Sequence, residues 1–337
     1  MSEQTRIACI TRSRPPNRVH RCEGRANYAF GTSAKPAPEV SVVIPTRNRF
    51  DLLSRHALAS ALGQEDVEIE VVVIDDGSDD GSAERLAELD DPRVRVVRRP
   101  AQGGQARALN AGIDTARGTW LSFLDDDDVW SPRKLRAQLD AADAAGASFV
   151  YGSMVAIDAE GRVLEALPTA DPASVRELLR RQNALRCPSS VMARAELIRR
   201  IGGFDERLNE LTDWDFFIRL ADAGRPAACP ELVVGYVVHS QNRRLREDSD
   251  VETEFRHLAA KHASLERAGF SRWVAMGHLR AGRRLRAARI YVRSAFSDRN
   301  PGNLLRAAAA LLGEPVFRLR RRLVAEKPEP AWLELYW

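Results

Sequence analysis

The 337-residue chain contains only four cysteines and no long apolar run. Cys9, Cys22, Cys187 and Cys229 are scattered, and no pair has a CxxC or other metal-binding spacing. No apolar stretch approaches the ~20 residues that span a bilayer, and the Arg-rich N-terminus lacks a signal-peptide core. We therefore expect a reduced, cytoplasmic protein without a zinc site.

Two glycine-rich nucleotide-binding motifs are also absent. The sequence contains neither the GxGxxG dinucleotide fingerprint nor the GxxxxGK(S/T) phosphate loop. Each of these motifs binds phosphate through glycine backbone at the start of a helix. Their absence weakens a dehydrogenase or P-loop interpretation.

Charge is distributed unevenly along the chain. The formal net charge is +4, yet residues 271–327 carry 14 Lys and Arg against 3 Asp and Glu, and residues 40–270 have a net charge of −9. A basic tail is typical of proteins that contact an anionic surface, either nucleic acid or inner-leaflet lipid. The plainer alternative is that Arg-rich helices simply have solvated faces.

The pattern of apolar residues divides the chain into three parts. Residues 1–39 have no periodicity and predict a disordered leader. In residues 40–245, β-branched segments at 40–44, 68–74 and 94–98 and an apolar segment at 120–124 alternate with helical segments, which predicts an α/β fold with a parallel, doubly wound sheet. Residues 246–337 predict a basic helical extension, with candidate helices at 252–268, 271–296 and 302–324.

Polar clusters follow three of the predicted strands: PTRN (45–48), DDGSDD (75–80) and DDDD (125–128). Ligands of such sheets bind at the carboxyl ends of the strands. In an extended segment Asp125 and Asp127 share a face, and two carboxylates together with a substrate diphosphate suit Mg²⁺ or Mn²⁺. The alternative is an acidic, solvated loop.

Two further acidic segments have both a functional and a structural interpretation. In VVVIDDGSDDGS (71–82) a carboxylate could accept hydrogen bonds from a nucleobase or ribose, with Gly77 permitting a tight turn, or Asp79 or Asp80 could cap a helix. In LTDWDFFIRL (211–220) Asp213 lies beside aromatic residues and suits either a general base or a helix cap. Spacing alone does not separate these alternatives.

Six segments together resemble the family-2 glycosyltransferases, a large inverting group with the GT-A fold. They are VSVVIPTRNR (40–49), VVVIDDGSDDGS (71–82), GGQARALNAGI (103–113), FLDDDDVWSPRKL (123–135), GGFDE (202–206) and TDWDFFIRL (212–220). The resemblance covers residues 40–240 and implies a GT-A, Rossmann-like, mostly parallel sheet flanked by helices. Arg47, where many relatives have an aromatic residue, and Thr212 before Asp213 depart from the usual pattern.

The resemblance also implies roles for individual residues. Asp213 matches the catalytic base, and Asp125 and Asp127 match the DxD acids, with Asp127 as a metal ligand and Asp125 at the ribose and metal. His239 resembles a histidine that reaches the metal or the diphosphate. The expected nucleotide-sugar site comprises Asp76 at the nucleobase, together with Pro45, Thr46, Arg47, Asn48, Gly104, Asp125 and Asp126.

The implied reaction moves a sugar from a nucleotide-sugar donor, by default a UDP-sugar, to a hydroxyl acceptor with Mg²⁺ or Mn²⁺ as cofactor. The expected setting is polysaccharide or glycoconjugate biosynthesis. Lipid-linked acceptors are common in the resembled family, so residues 271–327 are expected to contact the inner membrane face, the alternative being a helical subdomain. Nucleic acid is not expected, because few aromatic residues interleave with arginine there. Other possible functions are a sugar-nucleotide nucleotidyltransferase and an inactive scaffold.

Overall fold

Four short apolar segments form the parallel half of the sheet in a computed structural model, which describes residues 37–238, 250–313, 328 and 330–337. They are β1 (Val40–Thr46), β2 (Ile69–Asp75), β3 (Val94–Arg98) and β4 (Trp120–Phe123), in the order β3-β2-β1-β4. Each neighbouring pair among them is parallel. The strands predicted from the sequence are confirmed here.

The second half of the sheet is mixed. The remaining strands are β5 (Val129–Trp130), β6 (Phe149–Ile157), β7 (Val163–Leu167), β8 (Val191–Arg194) and β9 (Pro226–Val237). From β4 the order continues β8-β6-β9-β5, and β7 pairs with β6. β8 is antiparallel to both of its neighbours, whereas β6 and β9 are parallel. The sequence predicted neither β5 nor β8, because runs of two and four residues carry little periodicity.

Helices cover both faces of the sheet. α1 (Phe50–Leu52) and α2 (Ala59–Leu62) flank a π-helical segment, Leu53–Leu58. They are followed by α3 (Ser82–Ala87), α4 (Gln105–Thr115), α5 (Lys134–Ala145), α6 (Val175–Arg181), α7 (Ala195–Arg200) and α8 (Thr212–Ala223). Successive residues of β1 point to opposite faces of the sheet, so Val43 packs in one apolar cluster and Val42 and Ile44 pack in the other. Burying such a side chain contributes about 1.5–3 kcal/mol.

Four helices form the C-terminal region: α9 (Val251–Lys261), α10 (Arg267–Arg280), α11 (Arg284–Ser297) and α12 (Gly302–Leu312). The predicted single helix 271–296 is wrong, since Gly282 has a φ of +74° and donates its N–H to Leu279 O, which ends α10. The predicted helix 252–268 is also interrupted after Lys261. None of the helices within the described ranges is long and apolar enough to cross a membrane.

Some expectations fall on residues outside the described ranges. These are the leader up to residue 36, His239 and the part of helix 302–324 beyond Gly313. The described residues belong to one unit, Ala37–Trp337. The proposed boundary at 245/246 stays a prediction.

Candidate active site

The turn after β1 contacts two of the acidic clusters. The Thr46 hydroxyl donates a hydrogen bond of 2.8 Å to Asp126 Oδ2. Asn48 Nδ2 donates to Asp79 Oδ1 at 2.7 Å, and the Asp79 N–H donates to Asn48 Oδ1 at 3.0 Å. Asn48 has a φ of +55°, which asparagine tolerates better than most residues. Pro45 is buried in β1, and Arg47 lies 3.8 Å from Asp79.

Asp76, at the end of β2, is enclosed by the loop that precedes α4. Its Oδ2 accepts the Gly104 N–H at 2.8 Å, its Oδ1 accepts the Gly103 N–H at 3.0 Å, and Arg99 forms an ion pair with it. Gly77 has a φ of +72°, and a Cβ there would lie 2.8 Å from the backbone of the same loop. The expected tight turn at Gly77 is confirmed. Contact of Asp76 with a nucleobase stays a prediction.

The four consecutive acids have different surroundings. Asp128 is fully buried, and its carboxylate accepts the Ser189 hydroxyl at 2.6 Å and the Val237 N–H at 3.0 Å, so it ties β5 to β9. Asp126 accepts from Thr46 and from Arg49 Nη1 at 3.2 Å. Asp126 and Asp128 therefore hold protein segments together.

Asp125 and Asp127 are the two acids of the expected DxD pair. Asp125 is mostly buried and accepts a hydrogen bond of 2.9 Å from Gln105 Nε2, while Asp127 lies 3.2 Å from Arg49 Nη1. Burial, followed by the charges of Asp127, Asp126 and Asp213, raises the pKa of Asp125 to about 8. Burial and Asp127 likewise raise the pKa of Asp126 to about 6, despite Arg49.

Two carboxylates near the start of α8 have opposite environments. Burial raises the pKa of Asp213 to about 7, although its carboxylate accepts the Trp214 N–H and, at 2.9 Å, Asn183 Nδ2. Burial would also raise the pKa of Asp215, but hydrogen bonding to His262 and the charges of Arg219 and Lys261 lower it to about 2. Asp213 is not the helix cap, because Leu211 occupies that position.

Consecutive contacts connect the acids from separate loops. Asp76 accepts the Gly104 N–H, and the next residue, Gln105, donates to Asp125. Asp213 lies close enough to Asp125 for its charge to raise the pKa of that group. The structure therefore connects Asp76 and Asp125, which follow the carboxyl ends of parallel strands, with Asp213 in the first turn of α8.

The donor set suits a hard divalent cation that takes few protein ligands. Asp125 and Asp127 supply carboxylate oxygens, and the raised pKa of Asp125 reflects its burial first and then the negative charge of neighbouring acids, which a cation would neutralise. Within the described ranges no group of three or more His, Cys, Asp or Glu side chains forms a metal cluster. Mg²⁺ commonly uses one or two carboxylates and completes its shell with substrate phosphates and water.

Helix α9 contributes contacts that the sequence did not indicate. Glu254 Oε2 accepts three consecutive backbone N–H groups, those of Asn209 at 3.1 Å, Glu210 at 2.9 Å and Leu211 at 3.1 Å. This carboxylate fixes the segment that leads directly into α8. Such an interaction between distant segments has no sequence signature.

A second set of contacts, from α9 and from His262 directly after it, involves Asp215 and Asp205. Asp215 is fully buried and lies 2.8 Å from both His262 Nε2 and Lys261 Nζ. Lys261 and His257 also contact Asp205, at 2.9 Å and 3.1 Å. These contacts hold the first turn of α8, in which Asp213 also lies. Gln105, Asn183 and Arg49 are further contact residues that the sequence reasoning did not select.

Comparison with known proteins gives the family. A family model described as "Glycosyl transferase family 2" matches residues 41–202. The succinoglycan biosynthesis protein ExoO of Rhizobium meliloti (strain 1021) is 31% identical over 315 residues, which cover 87% of this chain and 89% of that protein. The chain belongs to glycosyl transferase family 2. This glycosyltransferase is also 28% identical to a chondroitin synthase of Pasteurella multocida (strain Pm70), over 70% of this chain and 24% of the synthase.

The fold of the glycosyltransferase matches a solved structure. S. aureus TarS 1-349, in complex with UDP-GlcNAc, aligns with a TM-score of 0.54 and 19% sequence identity over 72% of each chain. The predicted GT-A fold is confirmed. The roles of individual residues stay predictions. His239 itself lies outside the described ranges.

Proposed function

We propose that this glycosyltransferase is an inverting, metal-dependent enzyme that moves a sugar from a nucleotide-sugar donor to a hydroxyl acceptor. The relatives named for succinoglycan and chondroitin synthesis support polysaccharide or related glycoconjugate biosynthesis as its setting. The UDP-GlcNAc complex of TarS supports a UDP-sugar as the default donor.

The observation that carries this proposal is the contrast between Asp213 and Asp215. Asp215 is paired with cations and has a pKa near 2, whereas Asp213 has no cationic partner among the described residues and has a pKa near 7. When the environments of two neighbouring carboxylates shift their pKa values in opposite directions, the carboxylate with the lowered pKa is typical of a structural acid and the one with the raised pKa is typical of a general base. Asp213 is therefore the group that accepts the proton of the acceptor hydroxyl.

The displacement itself needs no protein nucleophile. The deprotonating hydroxyl oxygen forms a bond to the anomeric carbon while the bond from that carbon to the diphosphate oxygen breaks. The proton moves to Asp213, and the electron pair leaves with the nucleoside diphosphate. A single displacement of this kind inverts the anomeric configuration.

Asp127 and Asp125 would hold Mg²⁺ or Mn²⁺, with His239 as a further candidate ligand. When bound, such an ion neutralises the charge that develops on the leaving diphosphate. The nucleotide part of the donor would contact the residues at the ends of β1 and β2 and at the start of α4: Pro45, Thr46, Arg47, Asn48, Asp76, Gly104 and Asp126.

A donor panel tests the proposed reaction. The full-length enzyme is incubated with UDP-, dTDP- and GDP-sugars and a hydroxyl acceptor, with Mn²⁺, with Mg²⁺ or with a chelator, and the product anomer is assigned by NMR. We expect transfer from one nucleotide class, inverted configuration and loss of transfer with the chelator. Retained configuration, or full transfer in chelator, would contradict the mechanism.

Peripheral contact with the inner membrane face is part of the same proposal, because a lipid-linked acceptor would require it. Large apolar side chains on α11 and α12 are exposed, including Phe296 at 74% and Leu305 at 77%. Arginine and exposed apolar residues on one surface favour binding to anionic lipid.

A further inference from the structure

A cavity of about 300 Å³ lies between α10 and α11, in the C-terminal helices. The α10 residues that line it recur at helical spacing, from Arg267 to His278, and the α11 residues do so from Arg286 to Ser297. The two helices therefore present facing stripes to the same space.

The α11 side of the cavity carries unpaired positive charge. Arg286, Arg289 and Arg293 occur at i, i+3 and i+7, which places them along one face of the helix. All three are exposed, and none has a hydrogen-bond or ion-pair partner within the described parts of the chain. Three neighbouring guanidinium groups repel one another, so an anion between them would be stabilising.

The carboxylates near this cavity are already engaged. Glu252 pairs with Arg267, and Asp298 accepts hydrogen bonds from the Ser294 and Ser297 hydroxyls. Neither carboxylate forms an ion pair with the three arginines on α11 among the described residues. The cavity therefore retains a local excess of positive charge within the described residues.

The floor of the cavity is apolar with one unsatisfied polar atom. Phe270 and Val274 are buried beneath it, with 2% and 7% exposure. The Nδ1 atom of His278 is buried and has no hydrogen-bond partner among the described residues. A buried polar atom without a hydrogen-bond partner carries a free-energy penalty, and a ligand that forms a hydrogen bond with it would remove that penalty.

Large apolar side chains lie exposed on the same two helices and on the adjoining α12. Trp273 on α10 is 38% exposed, Val292 on α11 is 41% exposed and Phe296 is 74% exposed. On α12, Leu305 and Leu312 are 77% and 68% exposed. An amphiphile with a phosphate headgroup satisfies both the arginines and this apolar surface, whereas a free phosphate leaves the apolar residues in water.

We propose that the cavity between α10 and α11 binds the phosphate headgroup of an anionic membrane phospholipid through Arg286, Arg289 and Arg293. This inference deepens the proposed membrane contact and rests on that part of the proposed function. The proposed membrane contact alone requires only a general electrostatic attraction, whereas this inference assigns the headgroup to one defined cavity. The site is separate from the acids that carry the sugar-transfer chemistry.

The test compares two double variants that remove equal charge. Arg289→Gln with Arg293→Gln removes cavity arginines, and Arg284→Gln with Arg299→Gln removes two exposed arginines that do not line the cavity. The full-length chain is titrated with phosphatidylcholine vesicles containing phosphatidic acid, and the dissociation constant is measured. We expect the cavity variant to bind at least about tenfold more weakly than the control variant, because it loses charge-assisted hydrogen bonds as well as charge.

Two results would overturn the proposal. Equal weakening of both double variants would mean that binding is general electrostatics, and no binding by the wild-type chain would remove the membrane contact altogether. Calorimetric titration with inorganic phosphate forms the second arm. Binding of free phosphate as tight as that of vesicles, with the same arginine dependence, would assign the cavity to a soluble phosphate instead.

Sugar transfer to a soluble acceptor separates this inference from the catalytic proposal. We expect both double variants to retain transfer, since none of the four arginines contacts the active-site acids. Loss of vesicle binding with intact transfer supports the headgroup site. Absence of transfer in every form of the enzyme would instead count against the catalytic proposal, whatever the vesicles show.

Discussion

The active-site edge and the cavity between α10 and α11 concentrate opposite charges by different means. At the sheet edge, Asp125 to Asp128 follow a buried strand, and hydrogen bonds from Thr46, Gln105 and Ser189 fix their carboxylates. In the cavity, the arginines project from an exposed helix face without partners in the described residues. Protein hydrogen bonds therefore hold the acids in one geometry, whereas no described partner fixes the arginines. Substitutions at the acids should therefore have much larger effects.

Asp213→Asn should have the largest effect. The amide keeps the side chain's size but cannot accept a proton, and a positioned general base contributes about 10²–10⁴ in rate. We expect the turnover of sugar transfer to fall about 10³-fold with little change in donor KM. The check is steady-state kinetics with donor and acceptor varied independently.

Thermal melting provides the control for that variant. Because the pKa of Asp213 is raised in the folded state, its ionisation opposes folding, and stability falls as pH rises from about 4 to 7. Asn removes this ionisation, so the variant should melt at or above the wild-type Tm at pH 8. A large drop in Tm would make the kinetic loss a folding effect.

Asp127→Asn should lower transfer by about 10²-fold, since it removes a proposed metal ligand while retaining the side chain's size. The matched control is Asp128→Asn, because Asp128 contacts only protein groups in the described residues. We expect the first variant to need more Mn²⁺ for half-maximal activity, and the second to lose stability instead. The same Mn²⁺ requirement in both variants would contradict the assignment of Asp127, and not Asp128, as a metal ligand.

The pH dependence of turnover sharpens the assignment of the base. With the pKa of Asp213 near 7, turnover should fall about tenfold for each pH unit below 7, because only the ionised carboxylate accepts a proton. The profile is measured at saturating donor and acceptor. In Asp213→Asn the residual activity should lose this acidic limb; an unchanged limb would assign it to another group.

His262→Ala should have the smallest of these effects. Asp215 keeps Lys261 and Arg219 but loses a buried partner, which loosens the first turn of α8. We expect turnover to fall about fivefold to tenfold with an unchanged donor KM, because a small misplacement of the base slows the reaction. His262→Gln, which can restore a hydrogen bond, should recover part of the loss. No recovery, together with a lowered Tm, would indicate a merely structural role.

The sequence predicted features that depend on neighbouring residues. Short apolar runs, three of them rich in β-branched residues, indicated the four parallel strands. Because ligands bind at the carboxyl ends of such strands, the sequence also predicted that Asp76, Asp125 and Asp127 lie at one edge of the sheet. The separate roles of Asp126 and Asp128 were not predictable, because Asp128 finds Ser189 and Val237 at distances of 61 and 109 residues along the chain. Contacts of that range depend on the completed fold.

The same limit applies to α9 and to the C-terminal cavity. Glu254 and His262 look like ordinary polar residues of an amphipathic helix, and only tertiary packing brings them to the segment before α8 and to Asp215. The basic composition of residues 271–327 indicated that they contact an anionic surface. It did not indicate that Arg286, Arg289 and Arg293 would line one cavity.

Calorimetric titration of UDP into the full-length enzyme, with and without Mn²⁺, tests most directly whether the acids form one metal-dependent donor site. We expect Mn²⁺ to tighten UDP binding at least about tenfold in the wild type and in Asp213→Asn, and to have no such effect in Asp127→Asn. Tight UDP binding that is independent of Mn²⁺ and unaffected by Asp127→Asn would contradict the account.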